Sequence, residues 1–329
     1  MLATSLFLLF SAQADPGIEA FSRGDYLAAE RELKSSSDSR AKIFLALTFA
    51  ATNRCDQATG VLKGSAETSA SPTQRLAGLA LVQCHLTASR FNDASQILTR
   101  LKSQYPTDAD VLYLEARFHM RAWNESLRDL YRNAAGSYRV NQISGEILET
   151  QGQFAAAAGE YRKALEKNPD AVSLHFRLGR ALLMSSHSSE MYGEATKEFE
   201  AELAKNPRDA VAHYEIAQIL LALDKQLEAG SRLELALSID DKFPEALIAL
   251  GKMRVAQKRN EDAITLLSKA AELQPKNETA HYNLMLALRN AGRLDDAKRE
   301  KAILDSLQKP PEGEFTDFLK KLGEKPSAK

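Results

Sequence analysis

The sequence predicts an all-α fold of stacked helix pairs, an α-solenoid, and three observations predict it. A short apolar phrase recurs, as YRKALEKNPD at 161–170, FEAELAKNPRD at 199–209 and LSKAAELQPKN at 267–277. Each copy closes on a proline (Pro169, Pro207, Pro275), with an alanine twelve positions earlier (Ala157, Ala195, Ala263). Four residues after each alanine stands a bulky side chain: Tyr161, Phe199 or Leu267. Ala164 and Ala270 follow three residues later in two copies, and Glu202 takes that place in the middle one. Self-similarity at a fixed period marks a repeat architecture. Each unit presents an apolar face that it buries only by stacking on its neighbour.

Upstream of each alanine lies a second apolar helix pattern holding a glycine: Gly145, Gly179 or Gly251. Small residues at these two positions are expected to let the helices cross closely, since bulk there would pry them apart. The proline ends the second helix, because its ring blocks helix continuation and biases the preceding residue toward an extended conformation. Turn residues such as Asn290-Ala291-Gly292-Arg293 separate the two helices of a unit.

In chain order the units begin at Ser39, Arg75, Ala109, Tyr138, Val172, Ala210, Pro244 and Glu278, at intervals of 36, 34, 29, 34, 38, 34 and 34 residues. A half unit precedes them: GDYLAAERELK at 24–34 reads as a second helix whose partner is cut short at Asp15-Pro16. The short interval around Trp123 predicts a degenerate unit near 109–137. The long one carries four extra residues within 185–194, between its two helices. Repeats therefore span about residues 15–309. Lys309-Pro310-Pro311 then breaks the pattern, and Phe315, Phe318, Leu319 and Leu322 at helical spacing predict a capping helix within 310–322. A disordered tail is expected at 323–329.

This joint recurrence of small, bulky and proline positions resembles the tetratricopeptide repeat family, whose 34-residue unit is helix, turn, helix. The resemblance implies a right-handed superhelix of about eight helix pairs, and a function of binding a peptide or partner protein. It also implies that positions 2, 5, 9, 12 and 13 of the first helices line a concave surface. In this sequence those positions include Arg139, Gln142, Glu146, Phe176, Arg180, Tyr214, Gln218, Lys252, Tyr282 and Arg289. Such a mix of aromatic rings with Arg, Gln and Lys suits an extended or helical peptide anchored at a few points. The carboxylate clamp of chaperone-binding relatives is absent: Phe176/Arg180 and Tyr214/Gln218 stand where its Lys and Asn would be, so an acidic C-terminal peptide of that type is not expected.

Composition narrows the remaining classes. Of 329 residues, 44% are apolar and 26% charged, enough aliphatic side chain for a large core. With 43 basic against 44 acidic residues, interleaved, the chain has no basic excess of the kind that marks nucleic-acid binders. At the N-terminus an apolar stretch, Leu2 to Phe10, precedes Ala12-Gln13-Ala14, the A-x-A form of a signal-peptidase site. A signal peptide at 1–14 and a mature chain starting at Asp15 are expected, in a periplasmic or secreted protein. The stretch is too short to span a bilayer, which takes about 20 apolar residues.

No nucleophile elbow, zinc-protease helix, P-loop or dinucleotide-binding glycine signature occurs. In the repeat register His175, His213 and His281 share position 4, and His85 and His119 share position 11; both are packing positions. Helices spaced about 8–10 Å apart do not bring such residues to one ion, so no metal or cofactor is expected. His187 falls in the insertion. Cys55, at the start of a second helix, and Cys84, in the following first helix, lie toward one end of the stack. They either form a disulfide or sit as two buried apolar thiols. The chain is thus expected to be an exported, non-catalytic interaction scaffold; the alternative is a regulatory or substrate-presenting subunit of a cell-envelope enzyme complex.

Overall fold

In a computed structural model that describes residues 15–68 and 70–308, the backbone forms seventeen helices and, among those residues, no strand. The expected signal peptide at 1–14, the capping helix at 310–322 and the tail at 323–329 lie outside the described residues. No described helix is long and apolar enough to cross a membrane. The chain divides into two units, Met1–Ala135 and Gly136–Lys329.

The first unit holds α1 (Pro16–Ser22), α2 (Tyr26–Ser35), α3 (Ala41–Ala51), α4 (Cys55–Ala66), α5 (Pro72–Thr87), α6 (Phe91–Gln104) and α7 (Ala109–Asn133). Asp15 starts α1 by accepting from the Gly17 and Ile18 amides, with Pro16 in the first turn where its missing N–H costs nothing. Phe21 and Phe44 meet edge to face at 5.5 Å, joining α1 to α3. Cys55 opens α4 and is disulfide-bonded to Cys84 of α5, with the Cα atoms 5.5 Å apart. Beside that bond, His85 is 7% exposed and its Nδ1 has no hydrogen-bond partner among the described residues.

The segment expected to be a degenerate helix pair is instead one uninterrupted 25-residue helix, α7. From Arg117 to Asn133 there is no glycine or proline to break the helix. The i,i+3 pairs Glu125–Arg128 and Asp129–Arg132 reinforce the helix across the place where a turn would fall. Only Val111 and Leu114, at its N-terminal end, are buried.

The second unit runs as five pairs: α8 (Tyr138–Thr150) with α9 (Phe154–Lys167), α10 (Leu174–Ser185) with α11 (Ser189–Lys205), α12 (Ala210–Ala222) with α13 (Gln226–Ile239), α14 (Pro244–Ala256) with α15 (Asn260–Leu273), and α16 (Glu278–Asn290) with α17 (Leu294–Leu307). From α8 to α17, each helix packs against the next. The extra residues of the long interval lengthen the second helix: α11 has 17 residues, whereas α9, α13 and α15 have 14.

The turns inside four of these five pairs share one geometry, the α10–α11 turn at extended Ser186 being the exception. An amide bonds back to a carbonyl five residues earlier, as in Gln153 N–H to Leu148 O (2.9 Å), Arg259 to Arg254 (2.8 Å) and Arg293 to Leu288 (2.9 Å). This is the Schellman ending, which needs a left-handed residue just past the helix. Gly152 and Gly292 supply it freely, at φ 72° and 78°; Lys258, at φ 60°, adopts it at a cost. At the other end of the pair, Asn168, Asn206 and Gln274 leave the helix for extended ψ values of 76–89° ahead of their prolines.

In three of the five pairs a glycine of the first helix makes room for the bulky residue of the second. A Cβ on Gly145 would lie 2.5 Å from the Tyr161 ring, on Gly179 2.8 Å from Phe199, and on Gly251 2.6 Å from Leu267. All three bulky side chains are fully buried, as are Ala157, Ala195 and Ala263. The space that the glycines free is thus filled by a side chain, which is a tighter constraint than a close approach of two backbones. The position-4 histidines do polar work as well as packing. His213 Nε2 donates to the Pro207 carbonyl (3.2 Å) and its Nδ1 accepts from Arg232 (3.2 Å). His281 sits 3.1 Å from the Pro275 carbonyl and 2.6 Å from Glu300, and His175 bonds Glu198 at 2.7 Å. In this way the proline that ends one pair is tied to the first helix of the next.

Candidate partner-binding surface

The ten residues singled out by the family resemblance all stand on first helices of the second unit. On α8, Arg139, Gln142 and Glu146 recur at three and four residues and so share a face. Arg139 stacks over the Tyr138 ring, 4.6 Å from its centre, and donates to Gln142 (2.7 Å); Gln142 donates to Glu146 (3.0 Å). Glu146 is then paired with Arg177 of α10 at 3.3 Å, and Arg177 also reaches Glu149 at 3.4 Å. Glu149 accepts the Tyr161 hydroxyl at 2.8 Å. Burial first, then this hydrogen bond to a carboxylate, pushes the Tyr161 phenol far above its ordinary pKa. The three α8 residues are therefore satisfied inside the chain, in a polar run that knits α8, α9 and α10.

The remaining seven are less committed. On α10, half-buried Phe176 packs on Phe199 with ring centres 5.6 Å apart, and exposed Arg180, one turn on, lies 6.0 Å from the Phe176 ring centre. On α12, Tyr214 leans on Phe243, which precedes α14, at 5.0 Å. Burial raises the Tyr214 pKa, and the Glu215 and Glu245 carboxylates add to the rise. Gln218, Lys252 and Arg289 contact none of the other predicted residues through a hydrogen bond, ion pair or ring among the described residues. Tyr282 is 51% exposed on α16. With Met285, Lys301 and Leu304 it lines an open groove of about 410 Å³ between α16 and α17.

Three residues that the sequence reading passed over belong to this surface: Arg177, Glu149 and Glu215. Arg177 and Glu215 each directly follow a predicted aromatic residue, and that adjacency was the available signal. Glu215 is half-buried; burial raises its carboxyl pKa and the Arg180 charge opposes the rise. Among the described residues no group of three or more His, Cys, Asp or Glu side chains is placed to hold a metal. His187 stands exposed with its ring stacked at 6.3 Å on Tyr192.

Tetratricopeptide repeat profiles match residues 145–186 and 251–292, within the second unit. No curated protein matches the sequence. Among solved structures, MamA is similar over 52% of this chain and 91% of its own, at 19% identity and a TM-score of 0.46. YrrB, described as a TPR protein with an unusual peptide-binding site, is similar over 59% of this chain and 97% of its own, at 19% identity and a TM-score of 0.45.

Proposed function

Because the chain is a tetratricopeptide repeat protein, a class built for protein interaction, we propose that it acts as an exported, non-catalytic scaffold holding a peptide or protein segment on the first-helix surface of its second unit. The observation that carries this reading is a set of cations on the first helices that no carboxylate neutralises, beside Arg177 and Arg254, which are paired. On the first helices Arg180, Lys252 and Arg289 have no carboxylate within ion-pair distance among the described residues; Arg180 lies 6.0 Å from the Phe176 ring centre, and the first helices also carry Tyr214 and Tyr282. Rings interspersed with unmatched cations supply the anchors that dominate binding energy at interfaces.

Two features support export: the A-x-A leader and the Cys55–Cys84 disulfide, since disulfides persist chiefly in oxidising compartments. A mature form whose mass starts at Asp15 is the expected product in the cell envelope or medium; a chain retaining Met1 refutes export. For the surface, a photo-crosslinking amino acid is placed at Phe176, at Tyr282, or at Leu227, a second-helix residue 85% exposed. The first two positions trap a common partner in native cells and Leu227 does not. Adducts from Leu227 alone overturn the assignment of the surface.

A further inference from the structure

We propose that Glu215, next to Tyr214 on α12, forms the subsite for one positively charged side chain, lysine or arginine, of an extended partner segment crossing the first helices of the second unit. This rests on the reading above that the first-helix surface is where a partner binds. Its own basis is a single anomaly. Every other buried or half-buried carboxylate among the described residues accepts a hydrogen bond or an ion pair. Glu149 has Tyr161 and Arg177, Glu160 has Lys163 and Asn141, Glu198 has His175, and Glu300 has His281. Even Glu202, 4% exposed, receives the Phe176 amide at 3.4 Å. Glu215 has neither a hydrogen bond nor an ion pair, although it is half-buried in the middle first helix of the five.

A carboxylate taken partly out of water and given no donor costs stability that the Arg180 charge returns only in part. Such a group is accounted for when its donor arrives from outside. The local charges indicate which donor. The Glu215 and Glu245 carboxylates both act on the Tyr214 phenol, and the Arg180 guanidinium is the one cation acting on Glu215. Two carboxylates against one guanidinium leave a negative excess, which an acidic segment would meet with repulsion and a cationic side chain with attraction. The tilted ring pair, Tyr214 on Phe243 at 5.0 Å, supplies the apolar wall that the methylene stem of a lysine or arginine covers and a face for its charge. Gln218, one turn further along α12, offers amide groups to the main chain of the same segment.

The test uses random seven-residue peptides selected for binding to the full chain, then measured on Glu215→Gln and Phe176→Ala. The expected binders share a lysine or arginine, and Glu215→Gln weakens them about tenfold or more, as truncating one side of a desolvated charge pair does. The same variant melts higher than the parent at neutral pH. The folded carboxyl pKa is raised, so the charged form is disfavoured by folding, and glutamine removes that penalty. A residue kept only for stability would do the reverse. Acidic or uncharged binders overturn the proposal, as do cationic binders unaffected by Glu215→Gln. Binders that weaken with Phe176→Ala but not with Glu215→Gln refute this subsite and leave the surface standing. Binders indifferent to both variants, or no enrichment at all, refute the surface and the subsite together.

Discussion

Gly145→Ala adds one methyl group, and the structure says where it goes. The new Cβ would lie 2.5 Å from Cε1, 2.8 Å from Cδ1 and 2.9 Å from Cζ of Tyr161. Carbon atoms rest at about 3.5–4 Å, so the ring or the helix must yield by roughly 1 Å. The ring cannot swing aside, because Tyr161 is fully buried and its hydroxyl is held by Glu149, itself held by Arg177. Overpacking of this kind costs about 1–3 kcal/mol. Against it, alanine is better than glycine inside a helix by about 1 kcal/mol, which leaves a net loss of roughly 0–2 kcal/mol. Gly159→Ala provides the control. It sits in α9, the helix of Tyr161, with nothing within 4 Å of its added Cβ. It keeps the helical gain alone and stabilises by up to about 1 kcal/mol. Urea unfolding followed by far-ultraviolet circular dichroism reads both variants, and the gap between them isolates the overpacking. Tyr161→Leu in the Gly145→Ala background should recover part of the loss. Equal shifts for the two glycines, or a stabilised Gly145→Ala, would show that the glycine–ring pairing is not what holds the pair together.

Two further outcomes are expected in the first unit. Replacing Cys55 and Cys84 together with serine opens a loop with a sequence separation of 29. Loop-closure entropy puts the cost at roughly 3–4 kcal/mol, read from the fluorescence of Trp123 during unfolding; a change below about 1 kcal/mol would mean that the bond does not constrain the unfolded chain. Burial first, then the charge of Arg90, holds the His85 pKa below the ordinary histidine range, with Asp93 at 3.8 Å pulling partly the other way. The neutral ring is therefore the folded form. The stability it allows is complete above about pH 6.5, the unfolded histidine value, and is lost as pH falls from there toward the lower folded pKa. His85→Leu should flatten that acid-side slope, and an unchanged slope would refute the assignment.

Much of the second unit was legible because its determinants are local or strictly periodic. Gly145, Gly179 and Gly251 stand 16, 20 and 16 residues before Tyr161, Phe199 and Leu267. That spacing holds in the two regular pairs and stretches by four residues where the insertion falls. Spacing could not reveal that each glycine and its bulky partner fill one space. The ends of α9, α11 and α15 were equally readable, since a proline acts on the residue directly before it. The first unit was read less well at α7, where the period predicted two helices. What decides there is the lack of glycine and proline from Arg117 to Asn133, and a register count across neighbouring units does not weigh that.

The candidate surface was legible as a set of positions and not as a set of interactions. The sequence allowed Arg139, Gln142 and Glu146 to be read as open to a partner, yet Arg177 from the next first helix claims Glu146 and closes that group. Histidines read only as packing residues turned out to hold the proline carbonyls. Glu215 was passed over altogether, because an unmatched carboxylate is recognisable only once every nearby donor has a place. The sequence by itself determined the helices, their pairing and most of their ends, since these follow from side chains within a turn or two of one another. Which charges find partners on other helices, and which are left without one, was decided by the tertiary structure alone. Charge pairing and desolvation depend on groups that packing brings together from separate helices, and no local pattern records them.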